Sequence, residues 1–250
     1  MTNITGPDSD HPSTLVVVTA TVMEMRAVFA HWDGEIPEEL GWVERRESWG
    51  SLVLLVCGVG PVNAGISLGH LLGGLPGPVG VLNLGVAGAF CLETLPLGKA
   101  VLVDEEIWPE YGLLTASGID PKGIGLSLGK AEEYPVWDRL KLEPEVDAEN
   151  MKLDVAGLSK VSSLTVSGVS GTAERAEELR TRYAADVENM EGFALAWACR
   201  RFKAPFVQVR TISNLVGSRD AKHWDLPGAK RRLAEITRVI FQRIDMECRQ

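Results

Sequence analysis

The sequence predicts an α/β fold, a single domain in which a central, mixed and largely buried β-sheet is flanked by helices. Runs such as LVVVTA at 15–20 and LVLLVCGVG at 52–60 are apolar throughout, which is typical of strands covered on both faces. Helix-like segments follow these runs. Because neither repeats nor a linker divides the chain, we expect one domain over residues 15–250.

Strand and helix signals alternate through the first half of the chain. After the first strand, residues 23–32 have helical composition, with apolar side chains three and four positions apart. The strand at 52–60 leads into a helix-like segment at 62–75. PVGVLNLGVAGAF at 78–90 is a buried strand that runs into a Gly-rich loop, and KAVLVDEEIW at 99–108 is a further strand.

The second half begins with a segment at 111–136 that is rich in Gly and Pro and has no clear period. We expect loops and short pieces there, suited to a lid or an interface. Residues 142–155 are weakly helical, and 171–183 form a helix with Thr172 as a plausible N-cap. The remaining predicted elements are strands at 158–168 and 205–213 and a C-terminal helix at about 228–248 with one apolar face.

Composition and charge argue against several classes of protein. The chain has 25 Lys and Arg against 34 Asp and Glu, a net charge of −9, which argues against a nucleic-acid partner. No charged residue occurs from Ser48 to Leu92, yet Gly and Pro divide this stretch into pieces too short to span a membrane. We therefore predict neither a nucleic-acid nor a membrane partner.

The N-terminus and the cysteines predict a cytoplasmic protein. Residues 1–14 carry no Lys or Arg and no apolar core, so we expect a disordered tail and not a signal peptide. The four cysteines include no C-x-x-C pair that would suggest zinc or redox chemistry. A reduced chain without a bound metal is the natural interpretation.

Polar residues that could carry chemistry lie where α/β folds bind their ligands, at strand ends. Each has an ordinary structural explanation. Glu24 suits a helix start, GVAG at 85–88 suits a tight turn, Glu188 and Glu191 suit an acidic cap, and Asn214 suits a turn. GVAG matches no dinucleotide or ATP phosphate loop, so no nucleotide cofactor is predicted.

Taken together and in order, these features resemble the nucleoside phosphorylase and nucleosidase superfamily, from about Leu15 to Ile244. The landmarks are TATVME (19–24), NLGVAGAF (83–90), VSG (166–168), VENMEG (187–192) and VRTISN (209–214). The resemblance implies a nucleoside phosphorylase-like fold and cleavage of the bond between a purine and ribose, with no cofactor. It also implies a homo-oligomer, a dimer or larger, in which a neighbouring subunit closes the 5′ end of the pocket.

The resemblance implies roles for individual residues. Glu24 matches the general base that deprotonates water. Glu191 matches the carboxylate that accepts hydrogen bonds from the ribose hydroxyls, with Met190 packed under the sugar. Asn214 falls where adenine-specific nucleosidases carry Asp. The remaining substrate-binding candidates are Ala87, Gly88, Thr172, Arg210, Arg219 and Trp224.

Asn214 predicts a 6-oxopurine. Its NH₂ group can donate to the 6-oxo oxygen, and its carbonyl can accept from the protonated ring nitrogen. An Asp oxygen there would face another acceptor, and a mismatched buried polar pair can reject the wrong analogue by about 10⁴-fold. We therefore expect hypoxanthine or guanine in preference to adenine.

Water is the expected nucleophile. Where one phosphorylase branch carries Arg and Ser for phosphate, this chain has Asn83 and Val86, and neither suits a dianion. Arg210 matches an arginine of the hydrolytic branch's water network, although pairing with Glu24 for structure is an equal interpretation. Val86 also replaces a serine that helps to hold the water in the adenine-specific branch, so the water must be held otherwise.

The chain departs from the family pattern at the base and beyond the ribose. Gly171 stands where the adenine-specific enzymes place an aromatic ring, so stacking falls to Trp224, Trp108 or Tyr111. The stretch from 214 to 224 resembles a branch whose substrate bears an aryl carboxylate beyond the ribose. Arg219 is the nearest basic residue to the site motifs and suits that carboxylate.

Three alternatives to a 6-oxopurine nucleoside hydrolase follow from the same resemblance. A 6-oxopurine phosphorylase would depend on phosphate, and a methylthioadenosine/S-adenosylhomocysteine nucleosidase would release adenine. A non-catalytic nucleoside-binding protein would bind without releasing base. The presence of Glu24, Glu191 and Asn214 together speaks against this last alternative.

Overall fold

The computed structural model describes residues 14–244 apart from residues 33, 78 and 132. The predicted tail lies outside the described residues except for Thr14, which begins the first strand. The strands are β1 (Thr14–Thr19), β2 (Trp42–Glu47), β3 (Gly50–Val56), β4 (Val79–Ala89), β5 (Ala100–Ile107), β6 (Leu113–Thr115), β7 (Gly118–Asp120), β8 (Gly129–Ala131), β9 (Tyr134–Val136), β10 (Arg139–Lys141), β11 (Ser159–Thr165), β12 (Val187–Asn189) and β13 (Phe206–Leu215). The helices are α1 (Val22–Val28), α2 (Pro61–Gly74), α3 (Pro144–Asn150), α4 (Ala173–Tyr183), α5 (Gly192–Phe202) and α6 (Leu226–Ile240).

The central sheet is mixed and contains nine strands within the described part of the chain. Its order is β10-β5-β11-β12-β4-β1-β3-β2, and β13 pairs with both β4 and β5. The strands β4, β13, β5, β11 and β12 therefore close into a ring. β1, β3, β4 and β13 run parallel through their shared pairings, so their carboxyl ends meet at one edge.

The apolar runs of the sequence become strands because both faces of the sheet are covered. Every residue of β1 is buried, and Val16, Val17 and Val18 have no exposed surface. One core cluster packs α1, α3 and α6 against one face, and a second packs α2 and α5 against the other. These observations confirm the predicted α/β class with a buried mixed sheet.

The six predicted strands are confirmed as β1, β3, β4, β5, β11 and β13. The run at 52–60 is a strand only to Val56, after which the chain turns through Gly58 and Gly60, both with positive φ. The predicted C-terminal helix was placed too late. It begins at Leu226, capped by Asp225, and a 3₁₀ turn follows it over Phe241–Arg243.

Two features of the fold escape the sequence patterns. β2 is an edge strand whose alternating exposed residues, Trp42, Glu44 and Arg46, give it a charged appearance. The Gly-rich segment at 111–136 contains two small hairpins, β6–β7 and β8–β9, and not only loops.

The described cysteines are Cys57, Cys91 and Cys199, and all three are free thiols. Burial raises the pKa of the Cys57 thiol above its usual range. Within the described ranges, none of the helices is long and apolar enough to cross a membrane. In the same ranges, no group of three or more His, Cys, Asp or Glu side chains could hold a metal ion.

Candidate active site

A cleft of about 270 Å³ opens at the sheet edge where β1, β3, β4 and β13 end. It brings together residues that are far apart in the sequence. Among the predicted residues, the cleft is lined by Glu24, Ala87, Gly88, Met190, Glu191, Asn214 and Trp224. The arrangement follows the general rule that open α/β sheets bind ligands at the carboxyl ends of their strands.

Glu24 is held rigidly at the first turn of α1. Thr21 is the N-cap, and its backbone N–H and hydroxyl donate to Glu24 Oε2 at 3.1 and 2.9 Å. The backbone N–H of Val86 donates to Glu24 Oε1 at 3.1 Å. The side chain therefore completes a capping box and also reaches the cleft, so the structural and the chemical interpretations of this residue are compatible.

Arg210 lies beneath the cleft and does not line it. It is 1% exposed, and its Nη2 donates to Asn83 Oδ1 at 2.7 Å and lies 4.0 Å from Glu191 Oε2. A Cβ on Gly85 would overlap Arg210 Nη1 and would stand 3.0 Å from Glu24 Oε1. Glycine at this position of β4 thus lets the guanidinium and the carboxylate approach each other.

Glu191 is the second carboxylate of the cleft. It precedes α5, is 5% exposed, and accepts a hydrogen bond from the backbone N–H of Gly60 at 3.0 Å. Burial raises the pKa of its carboxyl, and Arg210 opposes the rise. Its Oε2 lies 4.0 Å from Arg210 Nη2, and the carboxylate lines the cleft, where a polar ligand can reach it.

A β-bulge in β13 directs Asn214 into the cleft. Ile212 pairs with Ala87 and Asn214 pairs with Gly88, so Ser213 is an extra residue between them. The Ser213 hydroxyl donates to Asn214 Oδ1 at 2.8 Å. A Cβ on Gly88 would stand 2.9 Å from Asn214 Nδ2, so the glycine makes room for the amide.

The same bulge brings Trp224 to the cleft. The backbone of Asn214 forms an isolated antiparallel bridge with Trp224, and the indole N–H donates to Ser218 O at 2.7 Å. Trp108 instead packs against Tyr111 and Phe193, with ring centroids 5.5 and 5.8 Å away. Of the three aromatic residues considered for stacking, Trp224 alone lines the cleft among the described residues.

A buried polar network supports the VENMEG segment from below. Glu106 is fully buried and accepts hydrogen bonds from Thr165, Asn189 and Gln208 at 2.7, 2.8 and 2.6 Å. Asn189 Oδ1 accepts the backbone N–H groups of Glu191 and Gly192 at 2.8 and 2.7 Å. Burial raises the pKa of Glu106 to about 7. The network fixes the backbone that presents Glu191 to the cleft.

Two predicted binding residues lie outside the cleft lining. Thr172 caps α4, as predicted, with its hydroxyl accepting from the Arg175 N–H at 3.3 Å. Arg219 is exposed, and its guanidinium carbon lies 5.7 Å from the centre of the Trp224 ring. Each flanks the site without facing its interior.

The cleft also contains residues that sequence reasoning missed. Glu188 accepts the backbone N–H and the hydroxyl of Ser170 at 2.9 and 2.6 Å, which ties the loop after β11 to the cleft wall. Lys230 reaches the cleft from the second turn of α6. Glu188 stands inside the recognised VENMEG motif and could have been chosen, whereas no motif marks Lys230.

The fold and this constellation define a class of protein, and the chain belongs to the Phosphorylase superfamily. The sequence model of that family matches residues 14–242, which confirms the predicted superfamily. Within it, the chain is similar to the futalosine hydrolase of Thermus thermophilus, with 36% identity over 190 residues, covering 76% of this chain and 80% of the relative. The futalosine hydrolase of Acidothermus cellulolyticus is 32% identical over 223 residues, covering 87% and 86% of the two chains.

Solved structures agree on the fold. The native structure of futalosine hydrolase from Helicobacter pylori superposes with a TM-score of 0.70, covering 90% of this chain and 96% of that chain. Sequence identity in this comparison is 17%, so the likeness establishes the architecture and nothing finer.

Proposed function

We propose that this protein is an N-glycosyl hydrolase that cleaves the N-ribosidic bond of futalosine, releasing hypoxanthine and dehypoxanthine futalosine, in the alternative pathway of menaquinone biosynthesis. The observation that carries the proposal is the convergence of Glu24, Glu191 and Asn214 on one cleft. The identity of 36% and 32% to two futalosine hydrolases supports the choice of substrate.

Glu24 is the general base. Its carboxylate lies at the cleft surface and is oriented by Thr21 and Val86, so it can take a proton from water as the water attacks the anomeric carbon. The transition state resembles an oxocarbenium ion, as in glycoside hydrolysis. The charge of Arg210 beneath the cleft opposes the rise that burial causes in the pKa of Glu191.

Glu191 and Met190 bind the ribose. The Glu191 carboxylate accepts hydrogen bonds from the sugar hydroxyls, and Met190 packs against the ring face. Because the Asn189 network fixes the backbone here, the carboxylate is oriented before the substrate arrives. Such positioning lowers the entropic cost of reaching the transition state.

Asn214 recognises hypoxanthine. Its amide group stands beside Gly88 and Ala87, where a base would lie flat against the small residues of β4 with Trp224 as the aromatic neighbour. The Asn214 NH₂ group donates to the 6-oxo oxygen, and its carbonyl accepts from the protonated ring nitrogen of the leaving base. Thr172 and Arg219 contribute from the rim of the site.

The position where one phosphorylase branch carries its phosphate-binding arginine offers no accessible cation among the described residues. Asn83, at the position where one phosphorylase branch carries Arg, accepts from Arg210 and donates to Val18 O at 3.1 Å. Arg210 itself is 1% exposed. A dianion would require accessible cationic or amide donors.

The test is release of free base from purified protein in phosphate-free buffer, measured by chromatography. Futalosine, inosine and methylthioadenosine are supplied in parallel. We expect hypoxanthine from futalosine at a much higher rate than base from the other two nucleosides. Release that requires phosphate would assign a phosphorylase, adenine release would assign a methylthioadenosine nucleosidase, and binding without release would assign a nucleoside-binding protein.

The proposal includes a homo-oligomer in a reducing, cytoplasmic environment. Val62 and Ile66, one turn apart on α2, are 71% and 67% exposed, and Phe202 of the adjoining α5 is 47% exposed. Val59, which lines the cleft, lies just before this apolar face, so a second copy seated there would border the nucleoside. An exposed apolar face of this kind is typical of an interface.

Light scattering after size-exclusion chromatography tests the assembly. Ile66→Glu introduces a charge into the proposed interface, and Leu114→Glu introduces the same charge at an exposed leucine of β6. We expect the first variant to dissociate and the second to keep the wild-type mass. A monomeric wild-type protein would contradict the oligomer.

A further inference from the structure

A second groove adjoins the cleft and is rich in positive charge. It lies between α1 and α6 and has a volume of about 620 Å³. Ala27, Ala30 and Ala234 leave it open. Met23 and Lys230 line both the groove and the cleft, so the two spaces adjoin each other.

The groove is lined by several positive charges, although the chain as a whole carries a net negative charge. Four cations line it: Arg26, Lys230, Arg231 and Arg238. Within residues 14–244, as far as they are described, none of the four has an ion-pair partner within 4.0 Å. The acid in the lining, Glu235, is engaged by Arg232 at 3.0 Å. A cluster of unpaired cations on a chain of net charge −9 provides a local site for an anion.

The size of the cleft requires further space for a large substituent. Pockets for drug-sized ligands occupy about 300–1,000 Å³. The cleft, at about 270 Å³, is below this range before any group beyond the ribose is counted. The groove, which adjoins the cleft at Met23, offers the additional space that an aryl group on the 5′ carbon needs.

Lys230 stands at the junction of the two spaces. It is half-buried, whereas Arg26, Arg231 and Arg238 are exposed, so it is the cation that the fold encloses most. An ion pair at a partly desolvated position is stronger than one at the surface. Arg219, in contrast, lies 5.7 Å from the centre of the Trp224 ring and lines neither space.

We propose that the groove between α1 and α6 holds the carboxylated aryl group carried on the 5′ carbon of the substrate, and that Lys230 is the residue that pairs with the carboxylate. This inference rests on the proposed hydrolysis of futalosine and adds to it the feature that selects the substituent. The three arginines add a weaker, longer-range attraction for the anion.

The experiment compares kcat/KM for futalosine and for its methyl ester, in which the carboxylate is replaced by an uncharged ester that is larger by one methyl group. Lys230→Met keeps the length and helix propensity of the side chain but removes the ammonium. A charged hydrogen bond contributes about 1.5–3 kcal/mol, so we expect Lys230→Met to lower kcat/KM for futalosine by roughly 10- to 100-fold. The ester should change by less than about threefold, because it offers Lys230 no charge to pair with.

Lys222→Met is the matched control. Lys222 pairs with Asp220 at 2.9 Å and lines neither the cleft nor the groove. It should leave the preference for acid over ester unchanged. Arg219→Met tests the assignment that the sequence predicts for the carboxylate.

The outcomes separate the inference from the function on which it rests. The wild type could cleave acid and ester equally, or Lys230→Met could lose activity equally on both substrates. Either result would overturn the proposal that Lys230 binds the carboxylate, and the proposed hydrolase function would stand. A loss of kcat/KM for the acid but not for the ester in Arg219→Met would assign carboxylate binding to Arg219 and would also overturn the proposal for Lys230. Failure of the wild type to cleave either compound contradicts the proposed function, and the inference fails with it.

Discussion

Glu24 Oε1 accepts the backbone N–H of Val86 at 3.1 Å, which joins the first turn of α1 to the carboxyl-terminal part of strand β4. The GVAG segment at 85–88 is therefore strand and not the predicted Gly-rich turn. The bond makes the position of a cleft carboxylate depend on two elements that are distant in the sequence. It also uses the backbone of Val86, so a residue without a polar side chain still orients the acid.

Glu24→Gln should lower turnover by roughly 100- to 10,000-fold while substrate affinity changes little, because the amide cannot accept the proton from water. One of its hydrogen-bond acceptors also becomes a donor facing Thr21 or Val86, at a cost of about 1 kcal/mol in the free energy of unfolding. Single-turnover kinetics measures the change in turnover, calorimetric titration measures the change in substrate affinity, and urea unfolding measures the change in stability. The exposed Glu39→Gln is the control, and near-normal turnover in Glu24→Gln would remove the residue from the mechanism.

Gly85→Ala should impair catalysis although it replaces no polar side chain. The new Cβ overlaps Arg210 Nη1 and crowds Glu24 Oε1, and the buried guanidinium has little room to retreat while Asn83 holds it. We expect kcat to fall by about tenfold or more, with a loss of about 1–3 kcal/mol in unfolding free energy from overpacking. Gly74→Ala meets no neighbouring atom within 4 Å and should behave like the wild type. Unchanged kcat in Gly85→Ala would mean that the close approach is dispensable.

Asn214→Asp should change the base preference. A carboxylate oxygen in place of Nδ2 would face Leu215 O, the present acceptor at 3.2 Å, and would repel the 6-oxo oxygen of hypoxanthine. We expect kcat/KM for hypoxanthine nucleosides to fall by about tenfold or more, with a gain relative to adenine nucleosides. Asn214→Ala is the comparison variant. It should lower kcat/KM for hypoxanthine and for adenine nucleosides without reversing the preference between the two bases. Equal preference in the Asp variant would contradict the assignment of base recognition to this residue.

Glu106→Gln should alter how stability depends on pH. The pKa of Glu106 is raised from 4.5 to about 7 in the folded state, so the native protein binds more protons than the unfolded chain between these values. The free energy of unfolding therefore falls as pH rises through this window, by up to about 3 kcal/mol from this group. The raised pKa values of Glu188 and Glu191 act in the same direction.

Urea unfolding at pH 5 and pH 8 measures the effect. In Glu106→Gln the difference between the two pH values should shrink, because the amide does not titrate. The exposed Glu93→Gln should retain the wild-type difference. An unchanged difference in Glu106→Gln would show that this carboxyl is ionised at both pH values.

The strands could be predicted because their apolar runs are continuous, as in β1 and β4, where burial on both faces removes any alternation. β2 could not, since its exposed Glu and Arg residues look like those of a loop. Glu24, Glu191 and Asn214 could be predicted to lie together because each stands in a motif, and all three line the cleft. Lys230 has no such mark, and only the packing of α6 against α1 brings it to the cleft. Long-range packing of this kind leaves no local pattern in the chain.

The extra residue at Ser213 separates two tasks within one strand. Up to Ile212, β13 pairs with β4 in regular register and every side chain is buried, so substitutions there disturb the core. Beyond the bulge the register shifts by one residue, and Asn214 is only partly buried. In the proposed hydrolase, a change of the residue at 214 can therefore alter which base the cleft accepts while the buried part of β13 keeps its packing. Specificity in this architecture can diverge without a compensating change in the scaffold.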